Sequence, residues 1–309
     1  PGQGAILGGG RMKKKVKGET VFQVVINVIL ILLVLSCILP FLLLISSSFT
    51  EETALINHGY NFWPRVFSIN AYTYLLNQAA TVFRSYGVTI FVTAAGTVLS
   101  LIIGPMLAYP LSRQDFKLKN VLSFVVFFTM LFNGGLVPTY MLWTQFFNIK
   151  NTIWALIFPS LLLNAFYIML MKNYFKTNIP FELIEAAKID GAGEFFTYFK
   201  IVLPLSLPIL ATVGLFVGIG YWNDWTNGLY YITDAKLFSL QNPLNRMMQN
   251  ISYLASSDSA SLVGSSNMIL PSSGMRMAMA VIGVVPIMIF YPFFQKYFVK
   301  GMTVGAVKG

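Results

Sequence analysis

The chain has 309 residues, of which 56% are hydrophobic and 10% charged, and its formal net charge is +10. Soluble proteins are about 25% charged, so this composition excludes an ordinary water-soluble domain and predicts an integral membrane protein. The basic excess does not indicate nucleic-acid binding, because no basic cluster is interleaved with base-stacking aromatic residues on a soluble face.

The N-terminal segment PGQGAILGGG lacks a starting Met and has the composition of a linker. We expect residues 1–11 to be the remnant of an expression tag, followed by a native start at Met12 and a cytoplasmic N-terminus over 12–20. Residues 21–309 are predicted to form a single transmembrane domain. The lone cysteine, Cys37, is expected to be a small core residue.

Six apolar stretches reach or approach the roughly 20 residues that a membrane-spanning helix needs. They are Val21–Ile45, Tyr86–Leu111, Val121–Phe147, Ile153–Met171, Leu205–Tyr221 and Met277–Phe294. We therefore predict an all-α protein with six transmembrane helices, of which the third is interrupted and the fifth is short. None of the six contains an ionisable Asp, Glu, Lys, Arg or His, which argues against proton-driven transport. Sodium coupling through backbone carbonyls stays open.

Basic residues are concentrated at four places: the N-terminus, the connection between spans 2 and 3, the connection between spans 4 and 5, and the C-terminus. The intervening connections carry fewer Lys and Arg residues. The positive-inside rule then predicts that both termini, and the segment between spans 4 and 5, lie in the cytoplasm.

The sequence contains no recognisable motif for nucleotide binding, metal binding or nucleophilic catalysis. There is no G-x-x-x-x-G-K-[ST] segment, so we expect no P-loop for ATP. The lone His58 has no cluster of Cys or carboxylate residues around it, so a metal site is not expected either. Without a nucleophile motif, we predict that the chain itself catalyses no reaction.

A short amphipathic segment broken by glycine, EAAKIDGAGEFFTYFKIVLPLSLP at 185–208, separates spans 4 and 5. Pro180 suits the first turn of a helix, and Gly191 suits its end, where the chain needs φ above zero. A second short helix is predicted from about Glu194 to Val202, ending before Pro204. A helix, a glycine corner and a second helix form a compact plug, whose small residues would let another protein approach closely.

The spacing of this segment resembles the cytoplasmic coupling loop of ABC-importer membrane subunits. The family pattern is EAA, three residues, Gly, nine residues, Ile, one residue and Leu-Pro, and it falls here on Glu185, Ala186, Ala187, Gly191, Ile201, Leu203 and Pro204. From about Arg84 onward the chain also resembles the carbohydrate-uptake branch of these permeases, and in particular the second maltose permease subunit. The residues that carry this resemblance are Asn133–Tyr140, Trp222-Asn223 and the C-terminal run Tyr291–Gly309.

The resemblance implies one subunit of a larger machine in the plasma membrane of a Gram-positive bacterium. Its partners would be a second homologous permease subunit, an ATPase dimer that binds ATP and Mg, and an extracellular solute-binding protein that delivers an oligosaccharide. This chain would hold no cofactor and would move the sugar inward by alternating access. Its coupling loop would cover about 172–206, with Glu185 facing the ATPase cleft, Asp190 contacting the partner, and Gly191 permitting the corner. The alternatives are a sodium-coupled secondary carrier, or an ABC importer for a non-sugar solute.

Eight polar and aromatic residues are candidates for the solute path: Asn133, Tyr140, Asn164, Tyr167, Trp222, Asn223, Asp224 and Trp225. Amide, carboxylate and aromatic groups suit a neutral oligosaccharide. The alternatives are a packing kink around Asn133, a helix–helix contact through Asn164, and an interfacial aromatic belt at Trp222–Trp225. The outer loop at about 222–275 is longer than the resemblance implies, and it includes a polar patch at Ser256–Ser261.

Overall fold

The computed structural model describes the fold of residues 9–77, 79–254 and 272–306, and side chains over 21–77, 79–249 and 273–289 and at 292. Within these residues the secondary structure is helical, apart from one isolated β-bridge between Thr50 and Phe67. The prediction of an all-α fold is confirmed for this part of the chain. The α-helices are α1 Gly9–Ser48, α2 Glu52–His58, α3 Asn70–Asn77, α4 Ala79–Ser112, α5 Lys119–Leu131, α6 Leu136–Met141, α7 Trp154–Ile157, α8 Ala165–Asn178, α9 Phe181–Ile189, α10 Glu194–Thr197, α11 Leu203–Leu205, α12 Leu207–Asn223, α13 Thr226–Tyr231, α14 Gln241–Leu254 and α15 Ser272–Ala306.

Two helices in the described residues are long and apolar enough to cross a membrane alone, Val21–Ser48 within α1 and Ala79–Ser112 of α4. Two bent pairs raise the number to four if each pair is one span. These are Lys119–Leu131 with Leu136–Phe146, bent by 115°, and Glu194–Leu205 with Leu207–Asn223, bent by 78°. The count of six spans stays a prediction.

The predicted interruption of the third span is confirmed. Helix α5 ends at Leu131, and α6 begins at Leu136. Between them Gly135 takes φ of 85°, a value that few residues other than glycine adopt. The Asn133 side chain accepts a hydrogen bond of 2.9 Å from the backbone N–H of Gly135, and this bond stabilises the turn.

The fourth predicted span needs a correction, because Ile153–Met171 is not one helix. Helix α7 is a short helix, and α8 begins only at Ala165. Pro159 offers no backbone N–H to continue the first helix, and Ser160 takes φ of 64°. The Asn164 side chain then caps α8 by accepting a hydrogen bond of 2.9 Å from the N–H of Phe166.

Contacts divide the chain into two units, and one of them comprises Leu75–Gly264 with Ile282–Gly309. In this unit α4 packs against α8 and α12. At the centre of the α4–α12 contact, the ring of Tyr221 lies on Gly96. The Tyr221 hydroxyl donates to the carbonyl of Ile157 at 2.8 Å, which ties the segment around α7 to the same core.

The other unit comprises Pro1–Tyr74 with Ser265–Val281. The apolar window of α1 has none of its residues buried, and Cys37 on this helix is exposed. The expectation that Cys37 is a core residue is therefore wrong for the described residues, because α1 buries none of its apolar window against them. Glu52, 7% exposed, accepts hydrogen bonds of 2.9 Å from the N–H groups of Ser273 and Gly274 in the first turn of α15.

The predicted outer loop at 222–275 contains ordered structure. It includes α13, a 3-10 turn at Ala235–Leu237, and α14. The polar patch at Ser256–Ser261 lies outside the described residues. The prediction of one domain over 21–309 stays a prediction.

Candidate functional site

Helix α9 ends in the glycine corner that the sequence predicts. Gly191 has φ of 80°. Its N–H donates to the carbonyl of Lys188 at 3.0 Å, and the N–H of Ala192 donates to the carbonyl of Ala187 at 2.8 Å. These two bonds form a Schellman motif, which satisfies carbonyls at the end of the helix and turns the chain sharply. A Cβ at Gly191 would meet open space, so the requirement for glycine here comes from the backbone angle alone.

The corner presents apolar side chains outward. Ile184 and Ala187 of α9 are buried, while Ile189 is 86% exposed and Phe195 is 74% exposed. A cleft of about 650 Å³ lies at the corner, lined by Leu183, Ala186, Ala187, Asp190, Gly191, Ala192, Gly193, Phe196 and Ile201. The fold thus gathers most of the EAA–Gly–Ile residues at one surface. Glu185 is exposed on the same helix.

The second half of the plug departs from the prediction. Helix α10 runs directly into a π-helical turn, Tyr198–Val202, and then into α11, so the helical path does not end before Pro204. Pro204 lies in the first turn of α11, where its missing N–H is tolerated. The break comes at Ser206, which is fully buried and whose hydroxyl donates to the carbonyl of Val202 at 2.7 Å.

A cluster of four charged side chains, which we call the charge cluster, lies beside the corner: Arg113, Asp115, Lys188 and Glu194. Arg113 pairs with Asp115 through two hydrogen bonds, of 2.9 and 2.7 Å. Lys188 Nζ lies 2.7 Å from Asp115 and 3.3 Å from Glu194. Arg113 also lies 3.4 Å from Glu194, and the Tyr109 hydroxyl donates to Glu194 at 3.0 Å. The cluster thus joins the chain after α4 to both sides of the corner.

Ionisation in the charge cluster is set by these contacts. Hydrogen bonds from Arg113 and then Lys188 hold the pKa of the Asp115 carboxyl well below its usual range. The hydrogen bond to Asp115 raises the pKa of Lys188. Both groups are therefore charged at neutral pH. The sequence pattern indicated only a topology from the basic residues of these two connections, and it did not predict the contact of Lys188 with Asp115, because the two lie 73 residues apart in the chain.

Four of the solute-path candidates lie around the two breaks. Asn133 and Asn164 are exposed, and each caps a turn or helix by the hydrogen bonds described above. Tyr140 stacks on Tyr231 with ring centroids 5.8 Å apart, and its hydroxyl accepts from Lys150 at 3.1 Å. Tyr167 stacks instead on Phe216, at 6.2 Å. The two asparagines thus have local roles that the sequence left open, and the two tyrosines belong to different aromatic pairs.

The other four candidates lie at the C-terminal end of α12 or just after it, where they have different environments. Trp222 is 6% exposed, and its indole N–H donates to the carbonyl of Gly283 at 3.1 Å. Asn223 is exposed and bonds back to Ile219. Asp224 accepts from the N–H groups of Thr226 and Asn227, as a cap does. Trp225 is 42% exposed. Trp222 is therefore a packing residue in this structure, whereas Trp225 and Asn223 keep free surface.

Residues 96–304 match the family model described as "Binding-protein-dependent transport system inner membrane component". The chain belongs to this family. It is therefore a membrane component of a transport system that depends on a binding protein, and the permease fold carries the plug, the breaks and the charge cluster described above.

Relatives of this permease cover nearly its whole length. Protein LplC of Bacillus subtilis is 40% identical over 88% of this chain and 90% of its own. The polygalacturonan/rhamnogalacturonan transport system permease protein YtcP of the same organism is 37% identical over 93% of this chain and 98% of its own. Among solved structures, a bacterial ABC transporter involved in the import of the acidic polysaccharide alginate is 29% identical, with a TM-score of 0.74, over 91% of this chain and 98% of the matched chain.

Proposed function

We propose that this permease is one of two homologous membrane subunits of an ATP-driven ABC importer. An extracellular binding protein delivers an oligosaccharide, and an ATPase dimer with bound ATP and Mg drives its inward movement by alternating access. This chain forms part of the path for the oligosaccharide and the surface that contacts the ATPase, and it does not itself hydrolyse ATP. The importer lies in the plasma membrane of a bacterium, with the permease crossing six times and both termini in the cytoplasm.

The observation that carries this proposal is the corner at Gly191. A Schellman turn holds Ile189 outward at 86% exposure, although this residue lies in a helix whose other face is buried. An apolar side chain so exposed on a polar cytoplasmic segment is costly unless a partner covers it. The EAA–Gly–Ile–Leu-Pro spacing supports the ATPase as that partner. We therefore propose that 172–206 is the coupling loop, and that its ATPase-coupling residues are Glu185, Ala186, Ala187, Asp190, Gly191, Ile201, Leu203 and Pro204.

The functions of related permeases support the substrate class that we propose. YtcP is a permease for polygalacturonan and rhamnogalacturonan, and the permease AraQ of Halalkalibacterium halodurans, 28% identical over 88% of this chain, is a permease for arabinooligosaccharides. Exposed amide and aromatic groups at Asn133, Asn223 and Trp225 suit stacking and hydrogen bonding to sugar rings. An oligosaccharide is therefore the solute that we propose.

Substitution of Ile189 by Asp tests the coupling loop. Because Ile189 makes little contact within the chain, Ile189→Asp should leave membrane insertion and permease pairing intact but release the ATPase during purification. Ile56→Asp is the matched control: Ile56 is 67% exposed on α2, outside the proposed coupling loop, and should keep the ATPase bound. Retention of the ATPase by Ile189→Asp would overturn the loop assignment.

Uptake by the assembled complex tests the mechanism and the substrate class. Labelled oligosaccharide should enter proteoliposomes only with the binding protein and internal ATP. Uptake that follows a sodium gradient without the ATPase would favour the secondary carrier. Uptake of a polyol or peptide in preference to every oligosaccharide of the panel would favour the non-sugar importer.

A further inference from the structure

The two sides of the coupling-loop corner are held by the same pair of residues. Lys188, three residues before Gly191, and Glu194, three residues after it, both bond to the Arg113–Asp115 pair at the end of α4. Asp115 and Lys188 are 73 residues apart in the sequence. The charge cluster therefore bridges a local turn to a long helix of the core.

We propose that the charge cluster is an interlock that fixes the corner to the end of α4, so that a displacement of the corner by the ATPase is passed directly to α4. Arg113 is its central positioning residue. This inference rests on the proposed function, since it takes the corner to be the ATPase contact.

The contacts of Arg113 show how the charge cluster connects α4 to the corner. The guanidinium is 5% exposed and forms a two-bond fork with Asp115, an arrangement that fixes orientation as well as distance. Its other terminal nitrogen, Nη1, donates to the Tyr109 hydroxyl at 3.1 Å, and Tyr109 lies within α4 itself. The cation is thus held by Tyr109 of α4 and by Asp115 just after it, and its contact with the corner is the pair with Glu194 at 3.4 Å.

The charge cluster lies beside an open cleft, and three of its four members are partly exposed to solvent. A cleft of about 500 Å³ opens beside the cluster, lined in part by Met106, Phe116, Phe195 and Tyr198. Apolar packing is therefore incomplete at this junction, although the rings of Tyr109 and Tyr198 lie 5.4 Å apart there. The outer members Asp115, Lys188 and Glu194 are 45%, 43% and 56% exposed. Exposed ion pairs contribute little to the free energy of folding. We therefore assign these pairs the role of fixing the position of the corner relative to α4.

Neutral, nearly isosteric substitutions test the interlock in the full complex. Asp115→Asn and Glu194→Gln should still assemble with the ATPase and keep basal ATP hydrolysis. The stimulation of hydrolysis by the solute-loaded binding protein should fall at least about fivefold, the lower range of measured allosteric couplings. Lys117→Gln is the control, because Lys117 is an exposed charged residue outside both the charge cluster and the proposed coupling loop at 172–206, and it should behave as the unsubstituted protein does.

Two further measurements separate an interlock from a merely structural contact. A spin label on Ile189→Cys, in a Cys37→Ser background, should become more mobile when Glu194→Gln is added to the isolated permease pair. Arg113→Lys keeps the charge but loses the fork, so it should reduce stimulation while retaining assembly. Unchanged stimulation in Asp115→Asn and Glu194→Gln would overturn the interlock, and so would an equal loss of assembly and stimulation.

The interlock and the coupling loop fail in different ways. If Ile189→Asp keeps the ATPase, the coupling-loop assignment itself is wrong. If Ile189→Asp releases the ATPase while the cluster substitutions leave stimulation unchanged, the loop stands and only the interlock is wrong.

Discussion

The ring of Tyr221 in α12 packs directly on Gly96 in α4, leaving no space for a Cβ at position 96. Tyr221 is 1% exposed, and its hydroxyl holds the carbonyl of Ile157. One ring therefore joins α4, α12 and the segment around α7. The close approach of these elements depends on the absence of a single methyl group.

Substitution of Gly96 by Ala should destabilise the permease, because the added methyl group overlaps the Tyr221 ring. Overpacking of a well-packed core costs about 1–3 kcal/mol, and the thermal midpoint in detergent should fall accordingly. Gly87→Ala, in the same helix but facing open space, should leave the midpoint unchanged or raise it, since alanine favours helix. Equal midpoints for the two variants would contradict the packing described here.

Substitution of Gly191 by Leu should impair transport through the backbone. Outside glycine, the left-handed conformation costs roughly 1–2 kcal/mol, and a β-carbon here meets no neighbour. Gly193→Leu adds the same side chain nearby at φ of −73° and should be far milder. Gly191→Asn should be intermediate, since asparagine tolerates the left-handed region. Normal uptake by Gly191→Leu would count against a role for the corner.

Asn164 offers a way to separate a cap from a sugar contact. Loss of the cap in Asn164→Ala should cost about 0.5–2 kcal/mol of stability. Asn164→Ser restores a capping oxygen, so its stability should return. If Asn164 also touches solute, Asn164→Ser will still alter the apparent affinity across a panel of oligosaccharides. An unaltered panel, with stability restored, removes Asn164 from the solute path.

Labelling by an impermeant thiol reagent should establish the orientation. In a Cys37→Ser background, Trp63→Cys should react from outside intact cells, and Ile189→Cys should react only after permeabilisation. These positions are 84% and 86% exposed, so the reagent can reach both. The opposite pattern would reverse the predicted topology.

The charge cluster should be insensitive to pH across the neutral range. The pKa of Asp115 is lowered, so its contribution is present above the ordinary carboxyl pKa and is lost only as acid reaches the lower value. The pKa of Lys188 is raised, so its contribution is present below the ordinary lysine pKa and is lost only in stronger alkali. The difference in thermal midpoint between the unsubstituted protein and Asp115→Asn should therefore stay constant between about pH 5 and 9. A steep change within this window would argue that other contacts dominate.

Local chemistry made the corner and the first break predictable. A left-handed C-cap and a broken transmembrane helix each require glycine at a defined place, and Gly191 and Gly135 occupy those places with φ of 80° and 85°. The family pattern gave the same corner independently. Both features depend on residues within a few positions of each other, which is the range over which sequence patterns are informative.

Other features were missed, and only one of them depends on residues far apart in the sequence. The apolar run Ile153–Met171 is compatible with one continuous helix or with two shorter helices. The structure shows two, divided at Pro159 and by the cap that Asn164 forms on α8. The pairing of Asp115 with Lys188 joins two segments whose charges, taken singly, resemble topology signals. The helical path through Pro204 was missed because a π-helical turn before it changes the hydrogen-bond register, and no local pattern announced that turn.

None of the apolar window of α1 is buried against the described residues, so packing within that part of the chain favours no single face of this helix. We therefore expect that one aliphatic side chain can replace another at these positions with little effect on the fold. A saturation library over 21–39 should tolerate almost any aliphatic or aromatic residue and reject charge, which costs roughly 2.5–3.5 kcal/mol at the centre of a spanning helix. Positions that resist apolar exchange in such a library would mark the stripe on which another subunit rests.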